Sequence, residues 1–285
     1  MSPVRLSVLV FLSATLTAAC QQAEPPKRYP IKGQILAVGT ERQELTISHD
    51  DIPGFMPGMT MTFPVASAEG MKGRVAGEIV TATLEVDNSQ GRLVDIVHVG
   101  EAPLSGNTNQ VAMASALLDV GAEVPDAAFI DQTDARRSFA EWKGSLTLVN
   151  FVYTSCPLPT FCPLMDQNFA TIQDAVAEDP QLHGQVKLVS ISIDPVNDTP
   201  AVLAAHAKKR RSDPAVWTWL TGDTVTVDRF AGRFGVGILR AADSKDITHN
   251  LRTVLIDKSG RIRAFYNGSN WTPQAVIADL RAAAR

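Results

Sequence analysis

The sequence predicts two domains, a small all-β barrel followed by an α/β domain. Three observations carry that prediction. Residues 30 to 99 read as short alternating strands broken by turns, with almost no helical periodicity. From about residue 124 onward, buried apolar strands alternate with amphipathic helices. Between them, residues 100 to 123 open with the polar linker "GEAPLSGNTNQ" and continue into "VAMASALLDVGAE", which reads as a short helix. A chain of 285 residues has the length for two such units. With 45% hydrophobic and 20% charged residues the composition is that of an ordinary globular protein. A net charge of -4 argues against a nucleic-acid binder, which would be basic.

Residues 1–19 read as a signal peptide. The run "LSVLVFLSATLTAA" follows Arg5, and its apolar core is shorter than the ~20 residues a spanning helix needs. Cys20 follows at once, in "LTAACQQ", which resembles the lipobox of bacterial lipoproteins. Ala18 and Ala19 fit that pattern, and Thr17 stands where a leucine is usual. The resemblance implies a lipid anchor on Cys20; ordinary signal-peptidase cleavage, leaving a spare thiol, is the alternative. Both place the mature chain outside the cytoplasm, in a bacterial periplasm, where a dithiol persists oxidised. Residues 20–29 are a short polar tether.

The first domain, 30–99, contains five strand-like stretches: "YPIKGQILAV", "ELTISH", "MTMTFPV", "EIVTATLEV" and "RLVDIVHV". An OB-type barrel is the economical arrangement, because closure removes exposed edges. Strand parity puts Leu45, Ile47 and His49 on one face, and likewise Met59, Met61 and Phe63. Alternate strand residues lie ~7 Å apart, so two thioethers can meet an imidazole from the neighbouring strand. That donor set is soft and suits Cu(I). The plainer reading makes the methionines core filling and His49 a strand-end residue. The whole stretch "SHDDIPGFMPGMTMTF" resembles the periplasmic copper-binding CusF family, and His49, Met59 and Met61 fall on its ligand positions. Met56 stands where that family carries a tryptophan over the metal. The resemblance therefore implies either a third thioether donor or an apolar lid there.

The second domain, 124–285, opens with the buried strand "SLTLVNFVYTS", then the helix "PLMDQNFATIQDAV" with Pro163 in its first turn. Next come the strand "QVKLVSISIDP", the helix "NDTPAVLAAHAKKRR" capped by Thr199, a hairpin turning at Lys258–Gly260, and a closing helix "TPQAVIADLRAAAR". This order is a thioredoxin-like arrangement. Cys156 and Cys162 lie between the first strand and its helix, where the helix dipole favours a thiolate on Cys162. Spacing alone leaves them as a structural staple, a redox pair or two arms of a metal site. Signatures of known thiol enzymes are missing. The gap between the cysteines is five residues rather than two, no proline precedes the strand after His249, and Tyr153 stands where peroxiredoxins carry threonine.

The combination of Cys156-Pro157, Cys162-Pro163, "SIDPVNDTP" and His249 six residues before Leu255 resembles the Sco family, also called SenC, copper chaperones for cytochrome oxidase assembly. The cysteine gap is two residues longer than that family's usual one. The resemblance implies a copper site of Cys156, Cys162 and His249, a redox-active dithiol, and Asp194 either beside the copper or as a loop-capping carboxylate. It implies copper, as Cu(I) and in some states Cu(II), and as partner the copper-site subunit of cytochrome c oxidase or another cuproprotein. A thiol–disulfide oxidoreductase with incidental metal binding, and a copper-resistance buffer with no client, are the rival functions. His98, His183 and His206 read as structural or solvated.

Overall fold

The computed structural model describes residues 25–87, 90–104, 117–240 and 247–285. The signal peptide, Cys20 and residues 111–116 of the expected linker helix lie outside the described residues. Residues 117–119 are irregular, and Glu123 bridges to Arg261.

All five strands expected for the first domain are present: β1 (Lys27–Gly39), β2 (Glu44–His49), β3 (Met59–Pro64), β4 (Glu78–Asp87) and β5 (Gln90–Glu101), with a one-turn helix α1 (Ala68–Met71) before β4. They form one antiparallel sheet in the order β3-β2-β1-β4-β5. Its edge strands meet where Val65, just after β3, bridges to Leu93. Among the described residues that bridge is the pairing across the seam, and a closed OB-type barrel is not shown. The inner face follows the expected parity, because Leu45, Ile47, Met61 and Phe63 share one hydrophobic core with Ile31, Ile35 and Leu84.

The second domain has a seven-stranded mixed sheet in the order β14-β13-β8-β9-β10-β6-β7. Its strands are β6 (Ala128–Asp131), β7 (Arg136–Ser138), β8 (Leu146–Val152), β9 (Val186–Ser192), β10 (Trp217–Thr221), β13 (Arg252–Ile256) and β14 (Ile262–Asn267). Every residue of β8 is buried, as its unbroken apolar run requires in a central strand. Among the described residues four α-helices complete the domain: α2 (Cys162–Glu178), α3 (Pro200–Arg210), α4 (Thr224–Arg233) and α5 (Pro273–Ala284). Thr199, Asp223 and Thr272 cap the last three by accepting hydrogen bonds from backbone N–H groups of the first turn. A separate two-stranded ribbon, β11 (Ile238–Arg240) with β12 (Ile247–His249), carries His249 at its end.

The two domains are joined over the other face of β2 and β3. Thr46 and Thr62 would face water on an isolated sheet, yet both are buried and their hydroxyls lie 2.9 Å apart. The second domain covers them. Gly235 has φ +77°, and a methyl group there would stand 3.1 Å from Thr62 Oγ1. One at Gly237 would stand 2.7 Å from the Thr60 carbonyl oxygen, so only glycines let this segment lie so close to β3. At the centre, Arg252 donates to Glu44 at 2.8 Å, with both side chains 1% exposed. Asn267 donates to the same carboxylate oxygen at 2.8 Å. Arg42 and Arg252 lie over the Phe265 ring, at 4.8 and 5.3 Å from its centre.

Removing one partner of such a pair leaves a buried charge with no counter-charge. Glu44→Gln should therefore destabilise the protein by about 3–5 kcal/mol. Replacing Glu44 and Arg252 together by leucine should cost far less, because Arg42, which also pairs with Glu44 at 3.4 Å, keeps Asp119 at 3.0 Å and no lone charge remains. Urea unfolding of the three proteins measures both effects, and equal losses in the single and double variants would show that the pair is not what holds this interface.

Candidate metal centres

His49 ends β2 and sits directly opposite Met59 of β3, with Ile47 opposite Met61. Antiparallel partners project to one side, so His49, Met59 and Met61 share the inner face as expected. The His49 Nδ1–H donates to the Asp50 carbonyl at 2.7 Å. That leaves Nε2 with its lone pair, buried and without any hydrogen-bond partner. Burial lowers the His49 pKa, so the ring stays neutral near pH 7. An orphaned imidazole nitrogen beside thioethers fits a soft metal ion such as copper. Met56 is half-buried against the same core, held by paired backbone hydrogen bonds between Ile52 and Met56 at 2.8 and 3.1 Å.

In the second domain, the turn after β8 is fixed from below. Asp198 accepts the Thr154 N–H at 3.0 Å and also binds the hydroxyls of Thr154 and Ser192. The five residues between the cysteines contain a turn closed by Phe161 N–H to the Leu158 carbonyl, 3.0 Å, which delivers Cys162 to the first position of α2. Cys162 Sγ lies 3.9 Å from His249 Nε2. His249 repeats the arrangement of His49. Its Nδ1–H donates to the Asn250 carbonyl at 3.1 Å, and burial pulls its pKa down to about 4.

Both cysteines are free thiols. The expectation of a thiolate on Cys162 is corrected by the electrostatics. The Cys162 thiol donates to Cys156, and that bond with its burial pushes the Cys162 pKa up despite the helix dipole. Cys156 is the thiolate, its pKa pushed down to about 6 by the hydrogen bond from Cys162, then by backbone N–H groups and the Tyr153 hydroxyl. Cys156, Cys162 and His249 thus form a chain of contacts. Among the described residues no three His, Cys, Asp or Glu side chains are already drawn up as a metal site. Two thiols and an unprotonated imidazole nitrogen nonetheless fit copper chemically.

A cavity of about 360 Å³ lies between the domains. Met56, Met61 and Phe63 line one wall, and Tyr153, Cys156 and His249 line the other. Met59 faces a neighbouring hollow bounded by Gly237 and Ile238. Asp194 is not among the cavity residues; Asn197 donates to both its carboxylate oxygens at 3.0 and 2.9 Å, the geometry of a loop cap. Of the other histidines, His206 bonds Asp166 at 2.8 Å and His98 bonds Glu78 at 3.1 Å. Sequence reasoning missed three contributors. Asp198 lies inside the quoted "SIDPVNDTP" and was legible only as part of that motif. Tyr153 drew notice only for not being threonine. Asn250 directs His249 through its carbonyl, while its side chain accepts from Gly237 N–H at 2.8 Å and donates to the Gly235 carbonyl at 3.0 Å.

Two pH dependences follow. Iodoacetamide modification of Cys156 in the reduced, metal-free protein, read by peptide mapping, should reach half its maximal rate near pH about 6. Cys162→Ala should move that midpoint toward the ordinary value of about 8.5, and an unmoved midpoint would remove Cys162 as the cause. For His249, the unfolded chain binds the proton at about pH 6.5 and the folded chain only near about 4. Its contribution is complete above the higher value and is lost as pH falls between the two, by about 3 kcal/mol. Chemical denaturation of wild type and His249→Gln across that window should show a difference that shrinks with acidity.

Among known proteins, a family model described as SCO1/SenC matches residues 119–285, and one described as copper binding periplasmic protein CusF matches residues 28–98. A SCO1 protein homolog of Bacillus subtilis (strain 168) is 27% identical over 164 residues, 56% of this chain and 82% of its own. The crystal structure of a SCO1/SenC family lipoprotein from Bacillus anthracis str. Ames aligns with TM-score 0.53 at 26% identity, covering 58% of this chain and 96% of the other. A solved structure from the identification of a disulfide switch in BsSco aligns with TM-score 0.50 at 25% identity, covering 59% of this chain and 97% of the other. The second domain thus has the Sco-like thioredoxin fold, and, with more than half its length matched, the chain belongs to the SCO1/SenC family.

Proposed function

We propose that this protein is an extracytoplasmic copper metallochaperone with two Cu(I) sites. The first comprises His49, Met59 and Met61, with Met56 covering it as a further donor or lid. The second comprises Cys156, Cys162 and His249. The observation that carries this reading is the pair of buried imidazoles, each with Nδ1 tied to the next carbonyl. His49 Nε2 is left without a partner, and His249 Nε2 faces the Cys162 sulfur. A histidine used only for structure would have both nitrogens satisfied, as a buried polar atom without a partner costs about 1–3 kcal/mol, and His49 leaves one open. We assign the two units to residues 30–99 and 124–285, with 100–123 as linker.

Each site performs its part through this chain's own groups. The carbonyls of Asp50 and Asn250 fix the ring tautomers and leave each Nε2 as the donor, that of His249 standing 3.9 Å from the Cys162 sulfur. Cys156 offers a ready thiolate, while Cys162 must release its proton to bind metal. Oxidation of the pair to a disulfide closes the second site, so redox state controls loading. A disulfide switch is named for BsSco, described as a member of the Sco family of cytochrome c oxidase assembly proteins, which supports the same use here. We assign the client as the copper subunit of cytochrome c oxidase or another cuproprotein. The match to a periplasmic copper protein and the lipoprotein relative support a periplasmic chain anchored through Cys20. No helix of the described residues is long and apolar enough to cross a membrane.

A second reading, reduction of a client's disulfide, has one observation in its favour: the low pKa of the half-buried Cys156, which suits a nucleophilic thiolate.

The reduced chain should bind two Cu(I), and the Cys156→Ser, Cys162→Ser variant one. His249→Ala should weaken the second site sharply while the dithiol still reoxidises. Competition against a Cu(I) chelator, with metal analysis, measures all three. A reduced chain that binds one Cu(I) in all and a double variant that binds none would remove the first site, and unchanged affinity in His249→Ala would remove the second as drawn.

A further inference from the structure

We propose that the cavity between the domains is an internal passage, along which Cu(I) moves from the methionines of the first domain to Cys156, Cys162 and His249 without leaving the protein. This rests on the two-site reading above. Met61 is the hinge of the argument. It belongs to the inner-face set with His49 and Met59, and it also lines the cavity whose far wall holds Cys156 and His249. Met56 lines the same cavity. The edge strand β3 is brought to this position by Gly235 and Gly237, which let its backbone approach. Ile238, next in sequence, pairs with His249, and Asn250 ties the glycines to that strand. One short segment therefore touches β3 on one side and carries His249 on the other.

The walls suit a soft ion. Phe55, Phe63, Phe161 and Leu158 supply apolar surface; among the described residues no Asp, Glu or Lys lines the cavity, and the cation that does, Arg252, is neutralised by Glu44. At about 30 Å³ per water, 360 Å³ leaves room for sulfur side chains to swing and for several waters. The buried Glu44–Arg252 pair holds the two walls in one relation.

In the transfer, the copper–sulfur bonds to the methionines and the copper–nitrogen bond to His49 break. Bonds form to Cys156, Cys162 and His249. Cys156 enters as a thiolate, and the Cys162 proton passes to cavity water and then to solvent. Copper remains Cu(I), and no electron moves. Direction follows from charge, because two anionic sulfurs replace neutral thioethers. While the cysteines are a disulfide the second set is absent and the ion stays in the first domain.

The test starts from the full chain with Cys156 and Cys162 oxidised and one Cu(I) bound in the first domain. A phosphine in excess reduces the disulfide, taking the oxygen of one water while the thiols take its hydrogens. Copper–thiolate ultraviolet absorption follows arrival, with an excess Cu(I) chelator present as a trap. The Cys156→Ser, Cys162→Ser chain under the same phosphine controls for stripping. A passage predicts arrival that is unaffected by the trap and by dilution. As a comparison, the loaded double-serine chain is mixed with a reduced chain carrying His49→Ala, Met59→Leu and Met61→Leu. Transfer there should scale with concentration and be intercepted. At ~10 μM protein the single chain should be about a hundredfold faster, since tethering gives an effective concentration on the order of millimolar. Copper lost to the trap, or a rate that falls on dilution, overturns the passage and leaves both sites standing. A double-serine chain that binds no Cu(I) overturns the first site, and the passage with it.

Discussion

The buried pair of Glu44 and Arg252 fixes where everything else in this protein can be. Glu44 is the first residue of β2, the strand that ends in His49. Arg252 is the first residue of β13 and follows His249 by three positions. A buried ion pair is weak evidence of stability, because desolvation offsets most of the attraction. Its value is geometric: two charges with 1% exposure tolerate only one register. The Asn267 hydrogen bond and the Phe265 ring beneath two guanidinium groups narrow that register further. The cavity between the domains is what this register leaves unfilled.

The two imidazoles show one local device used twice. Each histidine is the last residue of a strand, and each donates its Nδ1–H to the carbonyl of the residue that follows. Burial then keeps both rings neutral, the state in which Nε2 is a metal donor. A neutral buried imidazole next to sulfur selects soft ions over Mg²⁺ or Ca²⁺, which need hard oxygen donors. The sequences around the histidines, "SHDD" and "THNL", are unlike. What they share is a strand end, where the next carbonyl is free of the ladder.

Much of this was legible in the sequence, wherever a single element decided its own structure. The alternation in "ELTISH" and "MTMTF" placed His49, Met59 and Met61 on one face, and Thr199 marked the start of its helix. What could not be read depended on contacts across hundreds of residues. Glu44, Thr46 and Thr62 have the composition of a wetted sheet face and are buried because another domain covers them. The sheet of the first domain looked closable into a barrel, and among the described residues one bridge spans its seam. The helix dipole pointed to Cys162 as the thiolate, but burial and the direction of one hydrogen bond override a dipole of that size.

The widened cysteine gap draws these threads together. Cys162 cannot move far, because it opens α2 and is buried against Met165 and Phe169 of the same core. Thr154 is equally fixed by Asp198. Between these anchors the chain has the Leu158–Phe161 turn, two prolines and a 3.4 Å bond from the Cys156 N–H to the Tyr153 carbonyl, with Leu158 half exposed. Cys156 is the least buried donor of the three, and it lines the cavity as a thiolate. A shorter gap would hold it against Cys162. With the longer one the same sulfur hydrogen-bonds Cys162 and lines the cavity.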